Sequence, residues 1–129
     1  MKIKIYTIIV TMLLIGLSIY VYTNRHDQIK TELYFGLSNN KGVISPQQWE
    51  AFRKDRIENL LNGFTEIKGN GYWKSNNGKA LSENSVIIIY IHDDIESETQ
   101  KIDSLISLYK KEFNQESVLK TDQEVNVQF

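Results

Sequence analysis

The sequence predicts an α+β domain of ferredoxin-like type, βαββαβ: a four-stranded antiparallel sheet with two helices on one face, preceded by an N-terminal apolar helix. Three observations predict it. Two segments place apolar residues at helical spacing behind capping signals at Ser45 and Ser97. Segments of strand composition stand before, between and after them, in the order strand, helix, strand, strand, helix, strand. The run Val86-Ile87-Ile88-Ile89-Tyr90-Ile91 is apolar at every position, as suits a central strand covered on both sides. The split βαβ closure is the simplest one for that order, with the third strand in the middle.

The chain of 129 residues is long enough for one ordinary domain and too short for two. A formal net charge of -1 gives no electrostatic footing for nucleic acid as a partner. With no Cys, a disulfide framework, a thiolate nucleophile, a Cys-ligated metal and a lipid-carrying Cys are all excluded.

Residues 1–22 read as a membrane anchor or signal segment. From Ile5 to Tyr22 there is no charge, and as a helix that run is about 27 Å long, against roughly 30 Å for a bilayer core. Lys2 and Lys4 precede it, which orients the rest of the chain to the outside, and Tyr6, Tyr20 and Tyr22 suit the interfaces. The alternative is a cleaved signal peptide with Gly16-Leu17-Ser18 as its cleavage site, giving a secreted chain. Either way the following domain is expected on the periplasmic or extracellular side. Residues 23–31 are polar and patternless, and read as a linker.

The domain is then expected over residues 32–129. In Glu32–Leu37, Leu33, Phe35 and Leu37 alternate with Glu32, Tyr34 and Gly36, a strand with one apolar face. Ser38–Gly42 has turn composition. Ser45-Pro46-Gln47-Gln48 starts the first helix with a capping box and Pro at its first position. Trp49, Phe52, Ile57, Leu60 and Leu61 form its stripe, and Gly63 suits a left-handed cap. Phe64–Lys74 is the second strand, with Gly69 and Gly71 suggesting a bulge, and residues 75–79 a hairpin turn. After the central strand, Ser97-x-x-Gln100 reads as a second capping box. Ile102, Leu105, Ile106, Tyr109 and Phe113 carry that helix to about Asn114. Val118-Leu119 and Val125-Val127-Phe129 close the chain as a strand, with Thr121–Glu124 interrupting it as a bulge.

The chain resembles a bacterial family catalogued as domain of unknown function 3574. The resemblance covers roughly residues 32–129 and rests on Glu32-Leu33-Tyr34-Phe35-Gly36, on Ser45 with Trp49 and Phe52, and on Asn62-Gly63-Phe64-Thr65. It continues through Gly71 and Trp73, Glu83 with Ser85-Val86, Tyr109 with Phe113, Gln115-Glu116-Ser117-Val118-Leu119, and Val127 with Phe129. The family's envelope lipoproteins carry a Cys that this chain lacks. The resemblance implies an exported domain and supplies no activity.

Among chemistry-bearing residues, His92-Asp93-Asp94 reads either as a base or metal site or as a helix-start charge pair beside a partly solvated His. The second reading is preferred, because metal-ligand spacing is missing. Glu116-Ser117 reads as a strand-entry turn. If Ile87, Ile89 and Ile91 face the helices, then Tyr90 and His92 share the open sheet face with Glu32, Tyr34 and Trp73. These five are the candidate binding residues; no catalytic set, metal or cofactor is assigned. The face suits a ligand, a second copy or an envelope protein partner. A membrane-tethered binding module is the preferred reading. A small dimeric enzyme is the alternative, with His92 as acid or base, Tyr34 as donor and Glu32 as orienting carboxylate.

Overall fold

The computed structural model describes residues 2–23, 28–74 and 77–128, and the side chains of 6–20, 28–72, 74 and 77–128. Expectations about residues 24–27, Ser75-Asn76, Phe129 and the Trp73 side chain lie outside these. Helix α1 spans Lys2–Thr23. Its side chains from Tyr6 to Tyr20 are exposed. Among the described residues no helix is long and apolar enough to cross a membrane. The apolar run of residues 5–22 extends past the side chains that are described.

The domain is an α+β unit built on a four-stranded antiparallel sheet. Strand β1 (Gln28–Gly36) lies between β5 (Ala80–Asp93) and β6 (Leu119–Val125), and β4 (Thr65–Lys74) pairs the far edge of β5. A two-stranded hairpin, β2 (Ser38–Asn39) with β3 (Gly42–Val43), follows β1. Gly42 sits at φ 136°, a backbone conformation that only glycine adopts freely.

Ser45 caps α2 (Pro46–Phe52) as its sequence dictates: its hydroxyl accepts from the Gln48 N–H, and the Gln48 side chain accepts from the Ser45 N–H. The helix then passes through a π turn at Arg53–Ile57 and ends in α3 (Glu58–Leu60). Ile57 follows Phe52 by five positions, a step that leaves a regular helix about 140° out of phase. The wider turn brings both into the core, where they are 1% and 0% exposed. The last helix, α4 (Glu96–Phe113), buries Ile102, Leu105, Tyr109 and Phe113 and ends on a left-handed Asn114.

The core is one cluster. Phe35 of β1 meets Trp49 and Phe52 of α2 and Tyr109 of α4 at ring separations of 5.4, 6.3 and 4.7 Å. Leu33, Val86, Ile88 and Tyr90 complete the sheet side of it. Both helices therefore pack on the same face, and the other face stays open.

Five local expectations are corrected. Strand β1 begins at Gln28, inside the expected linker, because β5 and β6 pair it on both sides from Gln28 onward. Strand β4 pairs β5 without a break from Thr65 to Lys74, so Gly69 and Gly71 make no bulge. Strand β6 is likewise continuous through Thr121–Glu124. The N-cap of α4 is Ile95 rather than Ser97, and Gly63 has no left-handed φ because the chain is already extended at Leu61.

Candidate functional site

The pairing register settles which residues share a face. Thr31 stands opposite Tyr90, Leu33 opposite Ile88 and Phe35 opposite Val86, and these are buried under the helices. Tyr90 and His92, 3% and 8% exposed, belong to this buried face. The expected orientation of β5 is therefore reversed: Ile87, Ile89 and Ile91 point to the open side, where Ile91 is 46% exposed. A strand apolar at six consecutive positions carries no alternation of its own. The polar tips fit the buried face: Tyr90 reaches Glu98 of α4, and His92 reaches Thr31 on the buried side of β1.

Those partners form a closed network. The Tyr90 hydroxyl donates to Glu98 Oε2 at 2.6 Å, and Lys101 donates to Glu98 Oε1 at 2.6 Å. Burial, and then this bond, push the Tyr90 phenol up to about 12, while Lys101 and then Tyr90 hold Glu98 below the usual carboxylate range. His92 stacks on Tyr90 at 5.0 Å, donates from Nδ1 to the Asp93 carbonyl and meets the Thr31 hydroxyl with Nε2 at 2.9 Å. Thr31 in turn donates to Asp122 Oδ1 at 2.6 Å. His92 is thus a buried fastener between β1 and β5, not a partly solvated strand end. His92→Gln, which a solvated residue would tolerate, is expected to cost about 1–3 kcal/mol, since the flexible amide loses the ring stack on Tyr90 and the rigid placement of both hydrogen bonds. Urea melts of the purified variant measure it.

The open face keeps two of the expected residues together. The Tyr34 hydroxyl donates to Glu32 Oε2 at 2.6 Å, and Lys30 pairs with Glu32 at 3.0 Å. Tyr34, and then Lys30, hold Glu32 below the usual carboxylate range, and the bond to Glu32 lifts Tyr34 above the usual phenol range. Tyr34 is thereby a hydrogen-bond donor, not a base. His92 does not converge with this pair, so the acid-base set envisaged for an enzyme is not assembled.

Another set is assembled at the end of the open face, in a cleft of about 750 Å³. Register builds its floor. Gly36 lies opposite Ser85, and Gly71 opposite Glu83, so the sheet surface is nearly bare of side chains there. The hairpin residues Ser38, Asn39 and Asn40 form one wall, and Asn114–Ser117, leading from α4 into β6, form the other. Tyr34 and Leu119 border it on the sheet. The Glu83 carboxylate lies flat over Gly36, where an added Cβ would approach Oε1 to 2.6 Å. Its Oε1 accepts from the Ser38 N–H at 2.9 Å and the Ser38 hydroxyl at 2.7 Å. The Gln115 amide bridges the Gly36 and Ser38 carbonyls at 3.1 and 2.6 Å, and the Tyr109 hydroxyl also donates to Gly36 O, at 2.6 Å. The floor and both walls are thereby tied to the aromatic core.

Pattern reading missed Glu83, Ser38, Gln115 and Glu116 as site residues. One signal pointed to three of them, and none pointed to Ser38: Tyr34, Gly36, Gly71, Glu83, Ser85, Gln115, Glu116, Ser117 and Leu119 all belong to the blocks that carry the family resemblance, and all nine line this cleft. Among the described residues no three His, Asp or Glu side chains gather to hold a metal ion.

Fold and cleft together define a small α+β domain with its candidate site on the open face of an antiparallel sheet. A family model described as "Protein of unknown function (DUF3574)" matches residues 30–129, and the chain belongs to that family. No curated protein matches it. Among solved structures the fold is similar to that of a phage SAM lyase. In its apo state that protein is 25% identical, with a TM-score of 0.58 over 78% of this chain and 83% of its own. In complex with S-methyl-5'-thioadenosine it is 24% identical, with a TM-score of 0.57 over 76% and 81%.

Proposed function

We propose that the domain binds a small polar organic molecule in the open-face cleft and acts on it as a small enzyme of ferredoxin-like type. The observation that carries this reading is the cleft itself, whose glycine floor, fixed Glu83 and amide-rich walls converge on one space. The strand order β4-β5-β1-β6, with helices following β1 and β5, supports the ferredoxin-like assignment. The likeness to the phage enzyme makes SAM, the sulfonium S-adenosylmethionine, the first candidate substrate. Purified full-length chain incubated with SAM is expected to release S-methyl-5'-thioadenosine as the substrate's own carboxylate closes on the carbon that leaves sulfur, giving the amino lactone; liquid chromatography follows both products. Saturable SAM binding without turnover would favour the second reading, a binding module, which the separation of His92 from Glu32 and Tyr34 supports. Absence of both binding and turnover would remove SAM as the ligand.

The same reading sets the domain in the cell envelope, tethered through residues 5–22, with the open face able to take a second copy or an envelope protein partner. Alkaline carbonate washing is expected to leave the chain in the membrane fraction. A soluble mature chain beginning near Ile19 would replace the tether with cleavage. Light scattering of the detergent-solubilised chain reads the oligomeric state.

A further inference from the structure

We infer that Glu83 is the counter-ion of a positively charged centre on the ligand, so that the cleft selects a cationic organic molecule over its neutral counterpart. The inference deepens the reading of the cleft given above and rests on it.

It begins with an inventory of charges. The ion pairs among the described residues take up Glu32, Glu50, Glu58, Glu66, Glu98, Glu112 and Asp122. Glu83 is in none of them. It is half-buried, and it is not waving in solvent, because Ser38 fixes Oε1 with two hydrogen bonds and the carboxylate rests on the bare backbone of Gly36. These donors are neutral. They orient the carboxylate without cancelling its charge, and a partly buried carboxylate is costly until a cation pairs with it.

The described surroundings offer no such cation. Among the described residues no Lys, Arg or His lines the cleft, Glu116 stands on the wall formed by Asn114–Ser117, and the Tyr34 hydroxyl is committed to Glu32. A phosphate or an isolated carboxylate would meet a field of its own sign there. A sulfonium or an ammonium would supply the missing charge. The shape agrees with a compact centre, since the carboxylate lies down on Gly36, and Gly71 beside it adds no side chain to the cleft, so the approach to the carboxylate stays open.

Three probes and two variants test this by calorimetric titration of the full chain. SAM carries a sulfonium and an ammonium, S-adenosylhomocysteine keeps only the ammonium, and S-methyl-5'-thioadenosine carries neither. SAM is expected to bind at least about 30-fold more tightly than S-methyl-5'-thioadenosine, the scale of one desolvated charge pair. A large loss already at S-adenosylhomocysteine assigns Glu83 to the sulfonium; retention there assigns it to the ammonium. Glu83→Gln keeps the acceptor that Ser38 needs, so its melting temperature should stay near that of the parent while SAM loses most of its advantage. Gly36→Ala, whose Cβ would displace the carboxylate, should act in the same direction. Equal affinity for all three probes, or unchanged SAM preference in Glu83→Gln, overturns the inference and leaves the cleft as a binding site. Failure of all three to bind removes SAM and its relatives as ligands of the cleft, and the inference with them.

Discussion

Ile88→Asp should leave the domain unfolded at room temperature, whereas Ile89→Asp, one position further on, should still melt cooperatively. Ile88 is fully buried between sheet and helices, and Ile89 is only partly buried, on the open face. At Ile88 the substitution removes a packed side chain and leaves a carboxyl group without a partner among Leu33, Phe52 and their neighbours. The combined cost exceeds about 5 kcal/mol, which matches the whole stability of many small domains. At Ile89 the new carboxylate reaches water, and the cost is expected to be about 1–2 kcal/mol. Near-ultraviolet circular dichroism and urea melts separate the two outcomes. An unfolded Ile89→Asp beside a folded Ile88→Asp would mean that β5 faces the other way.

Phe35→Ala should cost about 3–5 kcal/mol, the range of a buried aromatic truncated to a methyl group. Phe35 is fully buried and touches the rings of Trp49, Phe52 and Tyr109 at once, so no single neighbour can move in to fill the space. The residue also joins core to site, standing between Tyr34 and Gly36 on the strand that floors the cleft. Urea midpoints at constant m-value measure the loss. A change under about 1 kcal/mol would contradict the packing, since burial of this area is worth more than that.

Much of the fold was legible because it is written locally. The capping box at Ser45, the stripe of α4 and the alternation of β1 each depend on neighbours within one or two turns or within one strand. The polar strands were not legible. Gln28–Thr31 and Thr121–Glu124 carry little apolar signal, and they become strands because adjacent strands offer their backbone groups a ladder. The π turn was hidden for a similar reason: the five-residue step from Phe52 to Ile57 looks like a flaw in a stripe until the core demands both side chains.

The candidate site divides in the same way. Tyr34 and Glu32 were readable as open-face neighbours, two residues apart on one alternating strand. Tyr90 and His92 were placed on the wrong face, because six consecutive apolar residues give β5 no phase.

By itself, then, the sequence determined the order of elements, the helix that Ser45 caps, the buried stripe of α4 and the apolar side of β1, since periodicity and capping act over a few residues. Only the tertiary structure decided which side of β5 is buried and that Gly36, Gly71, Glu83 and Gln115 meet in one cleft. Those residues lie on separate strands and on the turn that follows α4. Inter-strand register and the bond from Ser38 to Glu83 bring them together, and neither leaves a mark at short range in the chain.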